Sequence, residues 1–464
     1  MKQTMSRRDF MRCMGKLTAL AVLPWELANP KSLAAKELQA SILGQINYQK
    51  PAIMPKVILI FLYGGPSELA GNLTNIEEIN KYSQNKYPDN ILPTKANYTS
   101  NGFWKTAGGD AMESLIASQD LSIYRTINRR KDDNKAHELS ILQNLVGNPA
   151  KDGPRPGIGT VLAAVLAANK VFNAGVLLPF VSFEGNSVTF QPWDDPLPSE
   201  LKVTSIDSGF KNPYSRSNNS FLNNATLGSQ DSVLEILSRK ISSALGPTYE
   251  KMNEAFNRRA ILDNFITTNF SKSIVDSRLP AEIVYPNTSF GNRLKAAMAL
   301  AIDSPDTVFI GLGGAGLGGW DDHSASITTY ANRMKELMDA ISMAAQHMKA
   351  KGRNDIIINI FGDFGRNVNL NDSLGWDHGN NQNLYTIGGS AVRPGALGKI
   401  VGKTMRIGTA FENRQFTSPI PNGSYQCEPF SIASSIYKYF GIQNPEILTG
   451  EAPIDELGQS NEKV

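Results

Sequence analysis

Val57-Ile58-Leu59-Ile60-Phe61-Leu62-Tyr63 is an apolar run that stops at Gly64-Gly65-Pro66. Seven residues are short for a helix. Apolarity at both odd and even positions means burial on both faces, which is how a central strand of a parallel sheet reads. Similar runs follow at Leu121–Thr126, Val176–Ser182, Thr307–Gly311, Asp355–Phe361 and Asn383–Ile387. Pro179 argues for an edge or bent position for the third. Helical spacing appears at 135–146, 157–169, 231–245, 249–270, 291–303, 325–350 and 428–440. Strands that alternate with helices predict a three-layer α/β/α sandwich on a mostly parallel sheet. Residues 185–230 break the pattern with Ser, Asn, Gly and Pro, as in Ser215-Arg-Ser-Asn-Asn-Ser-Phe221. An irregular, then helical insertion is expected over about 185–275.

The chain has 464 residues, 41% hydrophobic and 19% charged, the balance of a globular protein. No stretch of 18 apolar residues exists, so no membrane span is expected by length. Ser6-Arg7-Arg8-Asp9-Phe10-Met11-Arg12 precedes a weakly apolar run from Met14 to Pro24, with small residues at Ser32 and Ala34. This reads as an export signal over 1–35, and the paired arginines point to the twin-arginine translocase as a partner. A periplasmic or secreted protein is expected, with one α/β domain over 36–464. Cleavage near Ala34 removes six basic and two acidic residues, so the formal charge of +3 becomes about −1. No nucleic-acid footprint remains. Cys13 leaves with the signal and Cys427 stays alone. One cysteine excludes an intramolecular disulfide, a thiolate cluster, an iron–sulfur centre and c-type haem.

Four histidines remain: His137, His323, His347 and His378. His347 lies within the 325–350 helix and reads as a solvated helix residue. The other three sit in short polar motifs after predicted strands. Gly318-Gly-Trp-Asp321-Asp322-His323 follows the strand at 307–311. Asp321 and His323, two apart, can converge on one ion; the alternative is that Asp322 or Ser324 caps the next helix. Phe361-Gly-Asp363-Phe-Gly-Arg366 ends the most apolar strand. Its Asp-Phe-Gly is no kinase signature, because no His-Arg-Asp loop precedes it. Asp363 beside Arg366 reads as a ligand or anion site, or as a pair that holds a turn. Gly375-Trp-Asp377-His378-Gly offers two candidate ligands, Asp377 and His378, on a tight turn. His137 opens a helix soon after the second strand. Gly64-Gly65-Pro66-Ser67-Glu68 follows the first strand and lets the backbone approach a ligand closely. Gly311-Leu-Gly-Gly-Ala-Gly316 matches a dinucleotide fingerprint but leads into Trp-Asp-Asp-His, not a helix. Asp and His in loops at the carboxyl edge of a sheet argue for a metal-assisted site. Zinc, manganese, iron, magnesium and calcium all stay open.

Gly-Gly-Pro-Ser, the His137 helix, Arg155-Pro-Gly-Ile-Gly-Thr-Val-Leu-Ala-Ala-Val, Leu178-Pro-Phe-Val, Gly-Trp-Asp-Asp-His, Gly-Asp-Phe-Gly-Arg and Trp-Asp-His-Gly occur in that order. Over roughly 55–445 this resembles the bacterial family called domain of unknown function 1501. Its members are typically twin-arginine-exported and similar in fold to the alkaline phosphatase and sulfatase superfamily. The resemblance implies a core in which Asp and His hold divalent metal ions. Carried over by position, Asp321, His323, Asp363 and His378 become metal ligands, and His137 and Arg366 become substrate or oxyanion contacts. Many members carry Asp after the first strand, where this chain has Ser67 and Glu68, and Ser-His where it has Ala136-His137. Ser67 or Ser140 would have to serve as a hydroxyl nucleophile.

The expected function is an exported metal-dependent hydrolase acting on a phosphate or sulfate ester, of a small molecule or a glycan. The alternative is a non-catalytic exported protein that keeps the fold and binds a glycan or an envelope protein. A redox protein is suggested by the export route alone, with no flavin, haem or iron–sulfur signature behind it.

Overall fold

The computed structural model describes residues 42–458, apart from 74–75, 92–96, 132–134, 150–155, 174, 194–196, 198–200, 211–260, 263, 407–416 and 420–422. The signal segment, Cys13, Arg155, the Ser215–Phe221 run and the helical spacing at 231–245 lie outside the described residues, as does most of that at 249–270.

The apolar run at 57–63 is β1 (Lys56–Leu62), buried at every position. It pairs in parallel with β5 (Phe309–Gly313) on one side and β6 (Ile356–Gly362) on the other. The sheet has eight strands. From one edge they run β10 (Ile400–Val401), β2 (Leu121–Asn128), β9 (Asn381–Gly388), β6, β1, β5, β3 (Phe180–Ser182) and β4 (Thr204–Ser205). All pairings are parallel except the two made by β9, which runs against β6 and β2.

Because a strand's side chains alternate, β1 feeds two cores. Ile58, Ile60 and Leu62 face one apolar cluster, and Val57, Leu59 and Phe61 the other. The first lies under α1 (Gly109–Ala117), α4 (Ser289–Asp303) and α5 (Ile327–Ala350). On α5, Tyr330, Met334, Leu337, Met338, Ile341, Ala345 and Met348 are buried at helical spacing. The second core lies under α2 (His137–Val146), α3 (Ile158–Ala168) and α6 (Phe430–Tyr439). Helices on both faces make the predicted three-layer sandwich.

Three expectations change. The irregular excursion contributes β4, which pairs in parallel with β3 and takes the edge. Two residues carry no alternation to read, so the sequence hides that strand. His347 is not solvated: it is 3% exposed, and its Nδ1 meets the Tyr285 hydroxyl at 3.1 Å. It sits on the buried stripe of α5, one residue before Met348, and burial lowers its pKa to about 4. Neither Asp322 nor Ser324 caps α5. Ser326 holds that position without a side-chain cap, and Asp322 pairs with Arg333.

Candidate metal centre

Three loops leave the carboxyl ends of β1, β5 and β6 and meet over the sheet. Gly64 (φ +111) and Gly65 (φ +71) turn the first loop in a conformation that side chains disfavour. A Cβ on Gly64 would lie 2.5 Å from the Asp321 nitrogen, so glycine is what lets the β1 and β5 loops touch. The β5 loop carries Trp320, Asp321 and His323. The β6 loop continues through β7 (Gly365–Arg366), which pairs with β8 (His378–Gly379) and brings Arg366 opposite His378. The two Gly-Trp-Asp segments are laced together: the Trp376 N–H donates to the Asp322 carbonyl at 2.7 Å, and Ala325 N–H to Ser373 at 2.8 Å. Trp320 and Trp376 are both fully buried and pack edge-on against one ring, Tyr330 of α5. That shared ring sets the two loops in register.

His137, Asp321, His323 and His378 form one group whose ligand atoms all lie within 4.8 Å of one another. Asp321 Oδ1 is 3.2 Å from His137 Nε2, 3.0 Å from His323 Nε2 and 3.8 Å from His378 Nε2. His323 Nε2 and His378 Nε2 are 3.0 Å apart. The opposite nitrogens face outer acceptors. His378 Nδ1 donates to the Lys135 carbonyl at 2.7 Å, His137 Nδ1 meets Asp363 Oδ2 at 2.7 Å, and His323 Nδ1 lies 3.4 Å from Asp377 Oδ1. An acceptor at Nδ1 places the proton there and turns the Nε2 lone pair inward. Imidazoles backed in this way are the usual surroundings of a bound metal. Two lone pairs 3.0 Å apart repel, and a shared cation relieves the repulsion. The donor set therefore fits a divalent ion.

Electrostatics favour the metal-binding forms of His323, His378 and Asp321 and oppose that of His137. Burial, then the nearby Arg366 charge, lowers the His378 pKa to about 4, and the same two causes lower His323. Hydrogen bonding to Asp363 raises His137. Burial opposes ionisation of Asp321, but the hydrogen bond and charge of Arg366 outweigh it and hold the carboxyl below its ordinary value. Asp363, fully buried, is pushed up by desolvation. The centre is open on one side, with the Asp321 and His323 side chains 51% and 44% exposed.

The other candidates from the sequence sit elsewhere. Asp363 lies behind His137 and also accepts the Gly64 N–H at 3.1 and 3.2 Å. Asp377 lies behind His323 and accepts from Asn371 Nδ2 at 3.1 Å. The Arg366 side chain has no exposure. It donates to the carbonyls of Gly65 (2.7 Å), Trp320 (3.1 Å), Trp376 (3.1 Å) and Gly64, and to Asp321 Oδ1 at 2.7 Å. Its Nη1 also reaches His323 Nε2 at 3.3 Å. Ser67 is 4% exposed, its Oγ engaged by the Leu69 N–H at 3.4 Å, and Ser140 is fully buried.

Four supporting residues escaped the sequence reading of the site. Asn144 Nδ2 donates to the carbonyls of Gly362 (2.9 Å) and Asp363 (2.8 Å), and Arg129 holds the Asn144 oxygen at 2.8 Å. This ties the helix that begins at His137 to the turn at Asp363. Tyr63 donates to Glu184 at 2.7 Å beside Gly313, where any Cβ would strike that carboxylate. A polar residue on the inner face of α2 was a signal for Asn144. Nothing local marked Glu184.

The chain belongs to the family described as "Protein of unknown function (DUF1501)", whose profile matches residues 54–419. No curated protein matches it. Among solved structures it is similar to the C-terminal periplasmic domain of EcEptC from Escherichia coli, at 9% identity over 86% of this chain and 85% of that one, with a TM-score of 0.37. It is also similar to alkaline phosphatase from the Antarctic bacterium TAB5, at 12% identity over 72% and 92%, with a TM-score of 0.32. A third is phosphonate monoester hydrolase of Agrobacterium radiobacter, at 9% identity over 86% and 78%, with a TM-score of 0.35.

Proposed function

Taking membership of this family as the premise, we propose that the chain is an exported metal-dependent hydrolase of phosphate or sulfate esters, with an alkaline phosphatase-like core. The observation that carries the reading is the convergence of three outer-braced imidazoles on one carboxylate at the carboxyl edge of the sheet. His137, Asp321, His323 and His378 hold the ion. When bound, a divalent metal supplies a Lewis acid for an ester oxygen and a lowered pKa for water. Asp363, Asp377 and the Lys135 carbonyl orient the imidazoles and keep their Nδ1 protons in place. Arg366 fixes the loops and offsets the charge of Asp321. Ser67 and Ser140 are buried, which favours direct attack by water over a covalent seryl intermediate. Twin-arginine export belongs to the same reading, and it places the protein in the periplasm or outside the cell. Among the described residues no helix is long and apolar enough to cross a membrane.

The buried serines also favour a second reading, a non-catalytic exported protein that binds a glycan or envelope protein through the same centre. The purified mature chain, loaded in turn with zinc, manganese, iron, magnesium and calcium, separates the two when assayed on aryl phosphate and aryl sulfate esters. Turnover that a chelator abolishes and the cognate metal restores supports the hydrolase. No turnover above buffer with any metal rejects it in favour of the binding protein.

A further inference from the structure

The surroundings of Arg366 carry the argument one step further, resting on the metal reading above. We infer that the centre takes a single divalent ion and that the Arg366 guanidinium fills the place where a second cation would sit. Two observations support this. The first is the ligand inventory. Among the described residues only one group of His, Cys, Asp and Glu can hold an ion. Four further carboxylates near the rim are already engaged: Asp322 by Arg333, Asp363 by His137 and the Gly64 N–H, Asp377 by Asn371, and Glu184 by Tyr63 and Ser187. The second is the cage around the guanidinium. Carbonyl oxygens of Gly64, Gly65, Trp320 and Trp376 and one oxygen of Asp321 surround it with no exposure to solvent.

Four carbonyls and a carboxylate are the hard oxygen donors that a divalent cation such as calcium, magnesium or manganese accepts. Here they hold a fixed monovalent cation that contacts two atoms of the neighbouring group, Asp321 Oδ1 and His323 Nε2. A second divalent ion would have to displace a buried guanidinium from all of these partners. Asp321 is the one carboxylate of the group, so a divalent ion held there would keep a net positive charge. That charge suits a tetrahedral oxyanion as its outer ligand.

The test is a metal count on the mature chain, saturated with manganese, desalted, and measured by elemental analysis and native mass spectrometry. Electron paramagnetic resonance on the same sample gives a readout independent of activity. One ion per chain with an uncoupled six-line signal is expected. Two ions with a coupled signal overturn the inference while leaving the metal reading intact. No ion at all overturns both. The role of the guanidinium is tested with Arg366→Ala and Arg366→Lys. Arg366→Ala is expected to take up a second manganese or calcium ion and to gain thermal stability from it, whereas Arg366→Lys stays at one. An Arg366→Ala chain that folds and stops at one ion removes Arg366 from the proposal. If Arg366→Ala does not fold with or without metal, the wild-type count decides.

Discussion

The two edges of the central sheet handle charge in opposite ways. At the amino edge Arg353 and Arg393 each meet a carboxylate of their own, and Lys56 donates to the Ser304 carbonyl. Arg353 chelates Asp355 through Nε and Nη2 at 2.8 and 2.7 Å, and Arg393 pairs with Glu456 at 2.6 Å, which also accepts the Tyr439 hydroxyl at 2.7 Å. His347, near the end of α5 that reaches this edge, is neutral and has Tyr285 as its partner. At the carboxyl edge three imidazoles and a guanidinium crowd one carboxylate, Asp321, and three Nε2 atoms converge on it. The first edge is electrostatically complete without a ligand. The second is not, and the proposed metal site lies there.

That contrast predicts opposite responses to mutation. Arg393→Met leaves the Glu456 carboxylate with the Tyr439 hydroxyl as its remaining partner among the described residues, and is expected to cost about 3 kcal/mol of unfolding free energy. Urea titration measures the cost, and elemental analysis should find the metal content unchanged. A loss of metal with little loss of stability would break the comparison.

The amino-edge histidine gives the next largest effect, through pH. His347 has a folded pKa of about 4 against an ordinary value of 6.5. The unfolded chain therefore binds the extra proton first, so the stability this group contributes is complete above pH 6.5 and falls as the pH drops toward 4. The fall is about 3 kcal/mol at most. Denaturation at pH 7, 5.5 and 4 should show it in the wild type and a flatter profile in His347→Gln. Equal slopes would place the acid sensitivity elsewhere.

At the carboxyl edge His378→Ala should weaken metal binding by about 100-fold or more, since even an outer partner of a ligand is worth roughly 10–100-fold. Competition with a chromogenic chelator reads the affinity. The metal-free stability should move by less than about 1 kcal/mol, because little packing is lost at an open site. Asp363→Asn is the smallest expected effect, about 10-fold in affinity, because the amide still reaches His137 Nδ1 but polarises it less. A loss as large as that of His378→Ala would make Asp363 a direct ligand.

Much of the fold was legible because burial leaves a local trace. β1 and β6 are apolar at consecutive positions and lie at the centre of the sheet, buried on both faces. The long helix α5 repeats its apolar residues at helical spacing. Short elements left no trace: β4 has two residues, and β10 has two. The site was half legible. Loops after strands named Asp321, His323 and His378 as ligands, whereas His137 was expected as a substrate or oxyanion contact and lies within the same group. The sequence reading also named Asp363 and Asp377 as ligands, and the structure sets each against the Nδ1 of a histidine. A carboxylate that binds an ion and one that braces an imidazole look alike in sequence.

The layers, the longer strands and the loops that carry polar chemistry are legible in sequence, because periodicity and composition act over a few residues. Long-range contacts set the rest. They turned β9 antiparallel, buried His347, aimed three Nε2 atoms at Asp321 and closed an oxygen cage around Arg366. His137 meets Asp321 across 184 positions and Asp363 across 226. Contacts at that separation are set by strand order in the sheet, a property of the whole chain that no local stretch contains.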